Sequence, residues 1–229
     1  TVCLFMAIVE REKNGAAQSP RRGHKPALLA GAAERQEYGM DKTPTSLQGT
    51  RVLLLPGWLD SGDGHWQTRW EQQHHFERVQ QADWVWPRRG DWLARLDEVV
   101  LADDRPVLLA AHSLGCHLVA AWSAWSRHTG RVAGALLVAP PDTERDDTPP
   151  QLHNWRPMVL EPLKFTACAV VSSDDPFCSE VRARQICARW RVGLRTDGPR
   201  GHLNADSGLG DWPEGLDLLN QLSMAAAIP

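Results

Sequence analysis

Three residues of the 229 have the types, order and settings that acyl transfer requires: Ser113, Asp175 and His202. Ser113 lies in Ala111-His112-Ser113-Leu114-Gly115, where an apolar run with strand character passes directly into an apolar stretch with helical character. In that setting a sharp strand-to-helix elbow holds the hydroxyl clear of the sheet as a nucleophile. Such a turn needs small flanking residues, here Ala111 and Gly115, with Ala111 standing where the G-x-S-x-G pattern has glycine.

A serine hydroxyl is a weak nucleophile at neutral pH and needs a base, which in turn needs an acid to orient it. Of the nine histidines, His202 in Gly201-His202-Leu203-Asn204 follows the last expected strand. The chain order Ser, acid, His places the base there. His74, His75, His117 and His128 read as surface or packing residues. His112 reads as packing at the strand end, facing away if side chains alternate along the strand. The acid belongs in Ser172-Ser173-Asp174-Asp175-Pro176, where Pro176 fixes the turn and favours Asp175, with Asp174 in reserve.

The developing oxyanion needs backbone donors. One is the Leu114 amide at the start of the elbow helix; the other is expected from Pro56-Gly57-Trp58, as the Trp58 amide. Trp58, His65 and the Asn154-Trp155 segment are candidate walls of a shallow substrate pocket, His65 and Trp155 foremost, whereas Trp66 is expected in the core. No Cys/His set has zinc-ligand spacing and no glycine-rich phosphate loop occurs, so no metal and no cofactor is expected.

These residues need a scaffold that brings strand ends together. Apolar runs suited to strands fall at residues 51–55, 79–84, 106–111, 133–139, 167–172 and 192–196. Helical patterns fall at 65–73, 92–101, 114–125, 179–190 and 215–224. Strands alternating with helices imply an α/β fold, a mainly parallel sheet of about six strands with helices on both faces. Its ligands sit at the strands' carboxyl ends. Residues 141–162 are expected to loop over the sheet edge and are too short for a cap domain.

Residues 1–49 show no sustained apolar period and are expected to be poorly ordered or non-native, with function beginning after Met40; the hydrolase domain is expected over residues 50–225. The net charge is −3 with its 25 basic residues scattered, which argues against nucleic acid as a partner. No run of about eighteen apolar residues suggests a membrane span. Five cysteines without disulfide spacing suit a reducing compartment, so the cytoplasm is expected.

The strings Leu55-Pro56-Gly57-Trp58, His65-Trp66-Gln67, Ala111 to Cys116, Ser173 to Phe177 and Gly201 to Asn204 together resemble a small serine hydrolase family of the α/β-hydrolase superfamily. That family takes in retinoblastoma-binding serine hydrolase and bacterial YdeN-like proteins. The resemblance runs from about Arg51 to Leu222 and implies a compact fold without a cap. It implies a triad at Ser113, Asp175 and His202, with the acid at the second position of the Asp pair. The reaction it implies is hydrolysis of small-molecule carboxylic esters or amides, esters preferred. A peptidase or amidase would share the same nucleophile. A non-catalytic protein-binding module on the same scaffold is the competing class, and no protein partner is indicated by the sequence.

Overall fold

In a computed structural model, which describes Leu47 and residues 49–226, the apolar runs become six parallel strands. They are β1 (Arg51–Leu55), β2 (Glu77–Arg78), β3 (Val107–His112), β4 (Val132–Val138), β5 (Ala167–Val171) and β6 (Gly193–Thr196), in the order β2-β1-β3-β4-β5-β6. The helices are α1 (Trp66–His74), α2 (Arg89–Leu101), α3 (Leu114–Trp125), α4 (Glu180–Trp190) and α5 (Pro213–Ala226). The molecule has the α/β-hydrolase fold. The expectations for residues 1–46, Met40 included, lie outside the described residues. Leu47 belongs to the same buried cluster as Val52 and Leu54.

Because strand side chains alternate, each central strand feeds two cores. Leu53, Leu55, Leu109, Ala111 and Leu137 meet Trp92, Leu96, Trp122, Ile186 and Trp190 from α2, α3 and α4 on one face. Val52, Leu54, Leu108, Ala110 and Leu136 meet Trp66, Trp70, Leu219 and Leu222 from α1 and α5 on the other. The indoles serve these layers, as the stacked Trp70 and Trp212 rings 5.9 Å apart illustrate.

Two local expectations are corrected. The second strand spans Glu77–Arg78 rather than residues 79–84, which run as irregular chain. Arg78 settles the register, because its nearly buried guanidinium bonds Asp60, Glu71, the Ser61 carbonyl and Thr68 Oγ1, pinning the edge strand before the apolar residues begin. The segment between β4 and β5 does not lie over a sheet edge. It carries a 3-10 helix, Pro150–Trp155, and packs on the α2–α4 face, with Trp155 against Trp92 and the Lys164 amide donating to Ser123 Oγ. Among the described residues no helix is long and apolar enough to cross a membrane.

The pairing aligns Leu55 with Ala111, His112 with Val138, and Val171 with Thr196, so the segments after β1, β3, β5 and β6 emerge at one end of the sheet. Gly115 lets α3 start there. A Cβ on it would lie 2.2 Å from the Leu55 carbonyl oxygen and 2.9 Å from that of Pro56, both backbone atoms unable to move aside. Gly115→Ala should therefore lower the unfolding free energy by about 3 kcal/mol or more in urea titrations. Gly130→Ala, whose Cβ would meet nothing within 4 Å, should stay within about 0.5 kcal/mol.

Candidate active site

The chain leaves β3 at Ser113 with φ 53 and ψ −123, a left-handed backbone that a non-glycine residue adopts only when its surroundings force it. The Ser113 amide donates to the Val138 carbonyl and the Ser113 carbonyl accepts from the Cys116 amide, which fixes the turn from both sides. Its hydroxyl is thereby delivered to His202, with Ser113 Oγ 2.9 Å from His202 Nε2. On the far side of the imidazole, Nδ1 lies 3.0 and 2.9 Å from the two Asp175 oxygens. A ring nitrogen facing a carboxylate carries the proton, so Nε2 is left as the acceptor for the serine hydroxyl.

The two aspartates divide their work. Asp175, its side chain 4 % exposed, faces His202 and also accepts from the Phe177 amide. Asp174 accepts from Ser172 Oγ and the Gly201 amide at 2.7 Å each, joining the acid loop to the histidine loop; these bonds hold its carboxyl below the usual range. Phe177 presses edge-on against the His202 ring at 4.5 Å.

Gly57 lies against the elbow. A Cβ there would come within 2.7 Å of Ser113 Cβ, 3.1 Å of its Oγ and 3.2 Å of the Leu114 nitrogen. The Leu114 amide opens α3 and has no carbonyl one turn back within the helix. Gly57, Ser113 and Leu114 thus meet at the start of α3, with Trp58 next in the chain.

The pocket expectations fare differently. Trp58 is half-buried, and its indole donates to the Val85 carbonyl. The Leu59 amide donates to Trp84, so residues 83–87 lie beside the segment that follows β1. Val85 and Trp86 are exposed there. Trp155 is 2 % exposed, with its indole donating to Pro87, and His65 is 3 % exposed, with Nδ1 capping α1 through the Gln67 amide. Neither forms an open wall, because both are buried, His65 capping its own helix and Trp155 joining distant chain segments. Asn154 likewise bonds the Arg89 amide and the Pro87 carbonyl.

His112 alternates onto the opposite face from Ala111, as expected, but it does not face away from the site. The loop bearing His202 folds back over that face, and His112 Nε2 lies 2.9 Å from the His202 carbonyl oxygen. His65 and His112 are edge to face at 4.5 Å, and His112 and His202 are 4.9 Å apart. Burial, with Arg78 and His202 adding, pushes His65 down to about 3, and burial holds His112 well below the usual imidazole range. Among the described residues no group of three or more His, Cys, Asp or Glu is arranged to hold a metal ion.

The sequence model of the serine hydrolase family matches residues 52–221. Among solved structures, a protein described as a YdeN-like hydrolase from Pectobacterium atrosepticum is 29% identical over 79% of this chain and 94% of its own, with a TM-score of 0.69. The ydeN gene product of Bacillus subtilis is 18% identical over 76% of this chain and 98% of its own, with a TM-score of 0.60. A thermophilic esterase from Thermogutta terrifontis is 13% identical over 78% of this chain and 90% of its own, with a TM-score of 0.52. The last two are alike in fold. No curated protein matches the chain by sequence.

Two outcomes are expected. Gly57→Ala fills the space beside Ser113 and Leu114 and should lower kcat by about 100-fold or more, the scale of losing an oxyanion donor. The same overlap with Ser113 should also lower the melting temperature by several degrees, so kcat is compared at a temperature where differential scanning fluorimetry shows both proteins folded. The second concerns pH. Unfolded histidines take up protons near pH 6.5, whereas buried His65, His112 and His117, the last pushed down to about 4, stay neutral in the fold. The unfolded chain therefore binds more protons below pH 6.5, and stability must fall as pH drops from there toward 4. Each histidine should contribute a slope of about 1.4 kcal/mol per pH unit. Urea titrations from pH 7.5 to 4.5 measure the slope; a flat profile would contradict it.

Proposed function

Because the chain belongs to the serine hydrolase family, we propose that it hydrolyses small-molecule carboxylic esters through an acyl-enzyme formed on Ser113. The observation that carries this reading is the unbroken line from Ser113 Oγ through His202 to the Asp175 carboxylate, every link at 2.9 to 3.0 Å. His202 Nε2 takes the serine proton as Oγ attacks the acyl carbonyl, and Asp175 stabilises the imidazolium. The Leu114 and Trp58 amides receive the oxyanion. His202 then protonates the leaving alcohol, and water, activated by the same nitrogen, releases the acid and regenerates the hydroxyl.

The half-buried indole of Trp58 and the exposed Val85 and Trp86 favour an apolar group on the substrate. Such a surface, on the segment that follows Gly57 and the chain beside it, suits an ester of modest size better than a polypeptide backbone, whose amides would go unpaired against indole.

Steady-state hydrolysis of p-nitrophenyl acetate and butyrate tests the assignment. Ser113→Ala and His202→Ala should abolish turnover above background. Asp175→Asn, which presents His202 with an amide and the wrong tautomer, should cost about 10⁴-fold in kcat. Asp174→Asn should stay within about tenfold of wild type, since its amide oxygen still accepts from Ser172 and Gly201. The reverse ranking of the two aspartate variants would reassign the acid. Turnover that survives in Ser113→Ala would end the acyl-enzyme reading.

A further inference from the structure

The histidine loop is held from beneath by two buried donors on other elements. His112, the last residue of β3 and 5 % exposed, places Nε2 at 2.9 Å from the His202 carbonyl oxygen. Trp66, the first residue of α1, donates its indole N–H to the next carbonyl, Leu203, at 3.1 Å. Leu203 itself has φ 50, so the chain turns sharply where these donors grip it. The neighbouring Gln67 donates to the Ala110 carbonyl and accepts from Ser61 Oγ, tying α1 to β3 and to the segment after β1.

We propose that His112 is a positioning residue for His202: a neutral imidazole with its proton on Nε2, it fixes the His202 main chain so that the ring stays in line between Ser113 and Asp175. The tautomer follows from the partner, since a carbonyl oxygen can only accept. The role follows from adjacency. Ser113 and His112 are consecutive, so one strand end sets the nucleophile through its backbone and the base through a side chain. A sub-ångström drift of one relative to the other is thereby suppressed, which is the tolerance a near-attack geometry requires. Trp66 supplies the second grip, so the loop cannot pivot about a single bond.

This inference rests on the proposed role of His202, and the test separates the two. In His112→Phe the ring stays and the donor is lost, whereas the amide of His112→Gln reaches the Nε2 position. With p-nitrophenyl butyrate, folded His112→Phe should lose tenfold or more in kcat with KM within twofold of wild type, and His112→Gln should recover most of kcat. By proton NMR, the low-field His202 Nδ1–H resonance, retained in wild type and His112→Gln, should shift or broaden in His112→Phe. Wild-type kcat and resonance in folded His112→Phe would overturn the proposal, as would equal losses in both variants. Should His112→Phe not fold, His112→Asn, whose amide falls short of the carbonyl, replaces it in the same comparison with His112→Gln, and equal kcat and resonance again overturn the proposal. If the wild type turns over no ester, the resonances alone decide the positioning role, and the proposed function is what fails.

Discussion

At Ser113 the chain must turn from strand to helix within one residue, and it does so at φ 53, a conformation that costs roughly 1 to 3 kcal/mol for a residue with a Cβ. Nothing local compensates this cost; the surrounding packing does. β3 is hydrogen-bonded on both sides, α3 is buried almost throughout, and the Ser113 amide is tied to β4. The turn closes only because the neighbouring backbone can approach it, at Gly115 against the Leu55 and Pro56 carbonyls and at Gly57 against Ser113 itself. The same two glycines thus let the fold close around Ser113. Stability and chemistry meet at one point of the chain.

The other participants are set relative to that point by contacts between the loops and the elements beneath them. Asp174 spans the acid and histidine loops, His112 and Trp66 grip consecutive carbonyls, and Phe177 confines the imidazole edge. Each bond joins segments far apart in sequence, so the site's geometry is a property of the tertiary structure. The buried bonds of His112 and Trp66 add only modest net stability, but leaving any partner unpaired is costly, which disfavours other arrangements of the histidine loop.

The sequence made the scaffold legible because apolar runs with breakers at their ends leave few alternatives: five of six strands and all five helices lie within a few residues of their expected places. The elbow was readable from Ala111 and Gly115, and the order of Ser113, Asp175 and His202 followed from strand ends. β2 was misplaced because its two residues carry no apolar period and are fixed by the ion pairs of Arg78, which depend on partners in α1 and the segment after β1. His65 and Trp155 are expected at the substrate, yet both are buried, one capping α1 and the other bonded to Pro87, since an imidazole or indole reads alike in a wall and in the interior. For His112, alternation predicts the face and not what folds back over it. The Asp pair could not be divided by spacing alone; the division lies in which carboxylate meets an imidazole and which meets the Gly201 amide.

An activated Ser113 is what the proposed chemistry requires above all. Treating the folded wild-type protein with a fluorophosphonate and locating the adduct by tandem mass spectrometry tests that directly. A single phosphonyl group on Ser113, formed at neutral pH and absent after prior heat denaturation, is the predicted result. An adduct on another residue, or none on protein shown to be folded, would contradict it.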